Sequence, residues 1–220
     1  MSSPPIIICD DDPGCSIDQL AIPKHYVQFI DHVMISEGFV NDRVRKLAHE
    51  IHEDYQGKSI IAVSILKGAE KVFAQLTDTL HSLNETYGPN MSVPVDHDQI
   101  KATSYTDNKS SGKPKYMFSE GQLESYTGKH VIIIEDIIDT GATMDGLVKK
   151  ILEYNPASLR VLSLLIKRLP TPAKFKPDYA GFSIPDHFVV GYMLDFNQKL
   201  RDISHICVLN SQGIEYFKKN

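Results

Sequence analysis

Apolar positions along this chain alternate between two patterns. Val44, Leu47, Ala48, Ile51 and Tyr55 recur three or four residues apart. They lie behind Asn41-Asp42 and ahead of Gly57, which predicts an amphipathic helix with a start and a stop. Ile60 to Leu66 is a short, β-branched apolar run, the pattern of a strand buried on both faces. Val72, Phe73, Leu76, Leu80 and Leu83 form a second helical face, and Met91 to Ala102 predicts a strand weakened by Pro94. Val131 to Ile134 is a second buried strand, ending at Glu135-Asp136. A turn over 139–143 then leads into a helix with Met144, Leu147, Val148, Ile151 and Leu152 on one face. Val161 to Ile166 is a third buried strand, ending at Lys167-Arg168. After Pro170 the segments shorten, around 179–182, 188–193 and 205–209. Residues 104–117 are polar and read as a mobile loop.

Fully apolar strands alternating with helices imply an α/β fold, a parallel sheet covered on both faces. Right-handed crossovers put the C-terminal ends of such strands on one edge, where ligands bind. Lys67-Gly68, Glu135-Asp136 and Lys167 are all predicted at that edge.

Composition narrows the function classes. The 220 residues carry 23 basic and 28 acidic side chains, for a net charge of -5, and are 42% hydrophobic. This suits one globular domain and provides no basic footprint for nucleic acid. Cys9, Cys15 and Cys207 are odd in number and lack C-x-x-C spacing, which argues against a disulfide framework or a zinc site. No run approaches a membrane span, and the acidic N-terminal stretch does not resemble a signal peptide, so a cytoplasmic location is expected. His49-Glu-Ile-His52 misses metalloprotease spacing by one residue. Neither a dinucleotide fingerprint nor a P-loop is present.

The strongest chemical signal lies between Val131 and Thr143. Thr140-Gly141-Ala142-Thr143 at a helix start provides backbone N–H groups, two hydroxyls and the positive helix end, which together make a phosphate cradle. Glu135 and Asp136, just before it, suit vicinal sugar hydroxyls. A phosphate site beside a sugar site implies a ribose 5-phosphate. The plain alternative is a capped helix behind a strand that ends in acids. A third acid, Asp139, three residues after Asp136 weighs against it.

Glu135-Asp136-Ile137-Ile138-Asp139-Thr140-Gly141-Ala142-Thr143 resembles the phosphoribosyl-diphosphate motif of type I phosphoribosyltransferases. Leu66-Lys67-Gly68, Ser104-Tyr105, the stretch 163–168, 176–182, 188–192, 194–197 and Arg201-Asp202 resemble the hypoxanthine-guanine phosphoribosyltransferases, in that family's order. The resemblance implies one domain over 1–220, with a core over about 40–170 and a hood built from the N-terminal segment and 171–220. It implies transfer of the phosphoribosyl group of 5-phosphoribosyl 1-diphosphate to N9 of a purine base, with Mg2+ as cofactor. It makes Asp139 the general base and assigns ribose and phosphate to residues 135–143. Lys67, Gly68 and Arg201 would meet the diphosphate, with a non-proline cis peptide at Lys67-Gly68. Lys167, His187, Phe188, Val189 and Asp195 would hold the purine, Asp195 would also ligate the metal, and Ser104-Tyr105 would form a lid. A homodimer or homotetramer is implied, with no nucleic-acid or membrane partner.

The chain departs from the family at Ala69, where glycine is usual, and at Ala142, where lysine is frequent. It also departs at Gln99, Ala102-Thr103, Leu169 and Thr171. The Ala69 and Ala142 changes motivate a second expectation, a catalytically weak relative that binds purine nucleotides as a sensor or regulator.

Overall fold

A computed structural model describes residues 2–103, 114–171 and 173–219. In chain order the elements are β1 (Ile6–Ile7), β2 (Ile30–Ile35), α1 (Glu37–Tyr55), β3 (Ile60–Leu66), α2 (Glu70–Tyr87), β4 (Val95–Thr103) and β5 (Lys115–Met117). There follow α3 (Gln122–Ser125), β6 (His130–Ile138), α4 (Ala142–Leu152), β7 (Ser158–Lys167), β8 (Tyr179–Ile184), β9 (Val189–Val190), β10 (Ile206–Leu209) and α5 (Ser211–Lys219). A seven-stranded sheet runs β1-β8-β7-β6-β3-β4-β5. It is parallel except where β5 turns back on β4. A separate antiparallel sheet runs β2-β10-β9.

Strand β6 shows why its sequence is continuously apolar. Ile132 and Ile134 face a core shared with Leu47 and Ile51 of α1 and Leu76 and Leu80 of α2. Val131 and Ile133 face the opposite core, with Met144, Leu147 and Ile151 of α4. A strand covered on both sides has no polar face to alternate with. The small sheet has its own core around Phe29, Val33, Leu209 and Phe217.

Several boundaries differ from the sequence expectation for local reasons. Helix α1 starts before Asn41 because the Ser36 hydroxyl caps it, accepting from the Phe39 N–H at 3.4 Å. Pro94 sits outside the strand it was expected to weaken. Its carbonyl accepts from the Ile60 N–H at 2.9 Å, a role that needs no donor, and β4 starts one residue later. The preceding turn is held by Asn84, whose side chain bonds both the N–H and the carbonyl of Val93. Strand β6 does not stop at Glu135 but continues to Ile138, paired with β7 as Ile137↔Leu165 and Ile138↔Ile166. Strands β1 and β8, outside 40–170, join the main sheet. Strand β2, α3 and α5 have patterns too short to be read from sequence.

Asp54 ties α1 to β7 and β8. Its Oδ2 accepts from Tyr179 Oη at 2.6 Å and pairs with Arg160 Nη1 at 2.5 Å. Burial pushes the Asp54 carboxyl up, but the hydrogen bonds from Tyr179 and Arg160 outweigh it and leave the group below its ordinary value. A carboxyl depressed in the folded state stabilises the fold above its unfolded pKa of about 4. That contribution is lost as pH falls through the lower folded value. In urea unfolding, Asp54→Asn is therefore expected to cost about 1 kcal/mol at pH 7. The deficit should fade on acidification below the unfolded value of about 4. A deficit unchanged by pH would assign the loss to packing instead.

Candidate active site

The C-terminal edge of the main sheet gathers most of the expected residues. Ile138 pairs with Ile166, so Asp139 and Lys167 leave adjacent strands side by side. Strand β3, next to β6 on its other side, delivers Lys67-Gly68 into the start of α2. The cis peptide is Leu66–Lys67, one bond earlier than the Lys67–Gly68 peptide expected.

Gly68 is buried, and the reason for glycine there is steric. A Cβ would fall on the Asp136 carboxylate, overlapping Oδ2 and lying 2.5 Å from Cγ. The β3–α2 turn and the β6 acids therefore share one space. Ala69 is fully buried and packs in the core with Val72 and Leu76, so its methyl group stays out of that space.

Glu135 and Asp136 are neighbours in a buried strand. Glu135 Oε1 accepts from the Asp136 N–H at 3.2 Å, and Asp136 Oδ1 accepts from the Ile137 N–H at 2.7 Å. Burial, then the charge of Asp136, holds the Glu135 carboxyl well above the usual carboxylate range. Burial also raises Asp136, against the opposing pull of a Glu135 hydrogen bond, the Ile137 N–H and the Arg201 charge. The pair thus resists carrying two full negative charges.

The turn after β6 exposes Asp139 and Thr140 and buries Gly141. Gly141 is left-handed, at φ 76°. A side chain there would also meet the backbone of Phe175, with the Phe175 nitrogen 2.7 Å from a Cβ. Lys174 N–H donates to the Thr140 carbonyl at 2.9 Å, so residues 174–175 back this turn. The N-cap of α4 is Gly141, which has no side chain to offer, and the Ala142 N–H meets only Thr140 Oγ1, at 3.5 Å. The first N–H groups of a helix have no partner within it, which leaves those of α4 suited to an anion. Sequence reasoning missed residues 174–175, and their pattern carries no signal for this packing.

Lys167 and Phe188 come together from different sheets. Lys167 Nζ lies 5.7 Å from the Phe188 ring centroid and bonds Asp186 Oδ1 at 3.2 Å. Phe188 is 48% exposed, with its ring edge-on to Phe196, and is not a core aromatic. The Phe188 carbonyl is held by the Leu209 N–H, and Val189 pairs with Val208 in the small sheet. His187 is exposed, with its N–H bonded to the Pro185 carbonyl.

Asp195 and Arg201 form an ion pair at 2.5 Å. Asp195 Oδ2 also accepts from the Gln198 N–H, and Arg201 Nη1 donates to the Met193 carbonyl. Arg201 Nε is buried without a partner among the described residues. The loop that holds this pair has positive φ at Tyr192, Met193, Asn197, Gln198 and Leu200, a concentration typical of functional loops. Among the described residues no group of three or more His, Cys, Asp or Glu is placed to hold a metal. A single carboxylate such as Asp195 still fits magnesium, which takes one or two carboxylates beside phosphate oxygens. Ser104 and Tyr105 lie outside the described residues.

The phosphoribosyl transferase domain model matches residues 38–197. The chain is 42% identical over 216 residues to the hypoxanthine-guanine phosphoribosyltransferases of Homo sapiens and Pan troglodytes, covering 98% of this chain and of each relative. The Mus musculus protein of that name is 40% identical over the same length. Among solved structures, the hypoxanthine-guanine phosphoribosyltransferase of Schistosoma mansoni in complex with IMP superposes with a TM-score of 0.81 at 30% identity. It covers 98% of this chain and 100% of that one. No helix among the described residues is long and apolar enough to cross a membrane.

The shared space at Gly68 predicts coupling. Gly68→Ala is expected to cost about 1–3 kcal/mol in urea unfolding, as overpacking does. The cost should be much smaller in an Asp136→Ala background, where the overlapping carboxylate is gone. Equal costs in the two backgrounds would show that the contact does not govern this turn.

Proposed function

The chain belongs to the hypoxanthine-guanine phosphoribosyltransferases, and from that premise we propose how its residues divide the work of the reaction. The enzyme moves the 5-phosphoribosyl group from 5-phosphoribosyl 1-diphosphate to N9 of hypoxanthine or guanine, in purine salvage. The bond from C1 of ribose to N9 forms as the bond from C1 to diphosphate breaks. IMP or GMP leaves with diphosphate.

The carrying observation is the convergence at one sheet edge of the glycine-capped α4 turn, the Gly68–Asp136 contact and the Lys167–Phe188 pair. In this reading the N–H groups and hydroxyls of Thr140 to Thr143 receive the 5-phosphate. Glu135 and Asp136 accept from the ribose hydroxyls, with Ile137 and Ile138 as the backbone behind them. Positive charge gathers on the ribose ring in the transition state, and the single negative charge that the acid pair favours is preorganised beside it. The Lys67-Gly68 backbone and the Arg201 fork meet the diphosphate. Lys167 donates to O6 of the base, Phe188 stacks on its face, and His187 and Val189 line the same end. Magnesium, held by Asp195 and phosphate oxygens, would offset the charge of the leaving diphosphate.

We take the β2-β10-β9 sheet as the hood, so that the purine lies between the two sheets. Family membership also leads us to propose a cytoplasmic homodimer or homotetramer. Ala69 gives no support to a weakened relative, because its methyl group is spent in the core.

Conversion of radiolabelled hypoxanthine to IMP tests the activity directly, and nucleotide binding without turnover would defeat it. Lys167→Ala should raise the KM for hypoxanthine and guanine and leave that for 5-phosphoribosyl 1-diphosphate nearly unchanged. The reverse pattern would put Lys167 at the other end of the site. Asp139 takes the proton that the purine loses as N9 attacks. Asp139→Asn keeps the shape but cannot accept that proton, so kcat should fall roughly 10²- to 10⁴-fold. A stable variant with unchanged kcat would reduce Asp139 to a turn former.

A further inference from the structure

Tyr116 stands outside every role assigned above, yet its hydroxyl reaches the phosphate turn. From β5 it donates to the Thr143 carbonyl at 2.6 Å. In a regular helix the Thr143 carbonyl and the Leu147 N–H would bond each other. The phenol thus adds a second donor to the carbonyl that anchors the peptide of Thr143. Burial, followed by the charge of Asp145, pushes the phenol up to about 12, so it remains a donor at neutral pH.

Gly146 makes room for this bond. A Cβ there would lie 2.5 Å from Tyr116 Oη and 3.5 Å from its Cζ. Glycine inside a helix weakens it relative to alanine. The chain carries that weakness in α4 where the phenol needs the space. Ala142 adds no charge to the same turn. Anion binding there rests on how the N–H groups and the two threonine hydroxyls are aimed.

We propose that Tyr116 and Gly146 together act as a positioning pair for the 5-phosphate turn. The phenol fixes the Thr143 peptide from outside the site and never touches substrate. This rests on the reading of residues 140–143 as the phosphate turn. It adds a positioning element in β5 through which the phosphate turn favours the phosphorylated form of the ligand.

The test compares IMP with inosine, which lacks only the phosphate, by calorimetric titration of the full chain. Tyr116→Phe should weaken IMP binding about 3- to 10-fold, the size of one neutral hydrogen bond. Inosine affinity and the KM for hypoxanthine should stay within about twofold. Gly146→Ala should have the same effect by displacing the phenol oxygen. It should add nothing in the Tyr116→Phe background, because the displaced group is already absent. If Tyr116→Phe unfolds, Gly146→Ala alone carries the test. An unchanged preference for IMP over inosine in a folded variant overturns the proposal, as does an equal loss for both ligands. The phosphate-turn reading fails separately, if Thr140→Ala with Thr143→Ala leaves the wild-type preference for IMP intact.

Discussion

Two adjacent carboxylates inside a strand buried on both faces are the constraint around which this molecule is arranged. Glu135 and Asp136 lie between the β3 and β7 neighbours of β6, and burial raises both carboxyls. An unpaired charge in that position costs several kcal/mol. The surroundings reduce the cost piece by piece. The Ile137 N–H bonds Asp136, the Arg201 charge acts on it, and Gly68 leaves the space in which its carboxylate sits. Register with β7 continues through Ile138, so the acids are fixed by sheet geometry and not by a flexible loop. Preorganised charge of this kind costs no reorganisation when positive charge develops on a substrate.

The proposed purine end depends on a different joint, between the two sheets. Lys167 ends β7 in the main sheet, while Phe188 precedes β9 in the small one. Arg168, the residue after Lys167, ties the N-terminal segment to the main sheet. It donates to the Ser183 carbonyl at 2.7 Å and the Ile8 carbonyl at 2.6 Å, and pairs with Asp10. Arg43, buried in α1, continues the strap by bonding the carbonyls of Pro4, Ala180 and Gly181. The N-terminal segment is thereby stitched to β8, next to the residue that follows Lys167. An apolar run of Ile6 to Ile8 carries no hint of this, because the arginines that bond the Pro4 and Ile8 carbonyls lie 39 and 160 positions from them.

Legibility in the sequence followed the range of the interaction. Strand β3 was readable to the residue, because a strand covered on both faces declares itself by continuous apolar character. The acids, the turn and Lys167 were readable as an edge cluster, because topology alone brings parallel strand ends together. The end of β6 was misplaced, because charged residues look like a strand terminus and only pairing with β7 overrides that. The cis bond was placed one peptide late, since no pattern distinguishes Leu66–Lys67 from its neighbour. The Asp195–Arg201 pair and the positive φ values between them were hidden as well. Leu-Asp-Phe-Asn signals a turn but not which residues adopt left-handed backbone.

The two alanines that interrupt the family pattern show why a departure cannot be weighed by residue type alone. Ala69 is fully enclosed, packed with Val72 and Leu76, and adjoins the glycine that does face the acids. Its methyl adds apolar burial and removes nothing from the site. Ala142 is half-exposed in the first turn of α4, where a charged side chain would act on a bound anion at close range. There the same small residue shifts the burden onto backbone direction. Backbone direction in that turn is set by Gly141 in its left-handed state, by Lys174 on the Thr140 carbonyl and by Tyr116 on the Thr143 carbonyl. A side chain lost from the turn is thus matched by contacts from two segments distant in sequence, both aimed at carbonyls of that turn. Charge at a phosphate site can be exchanged for rigidity, provided the donors that remain are held in place before the ligand arrives.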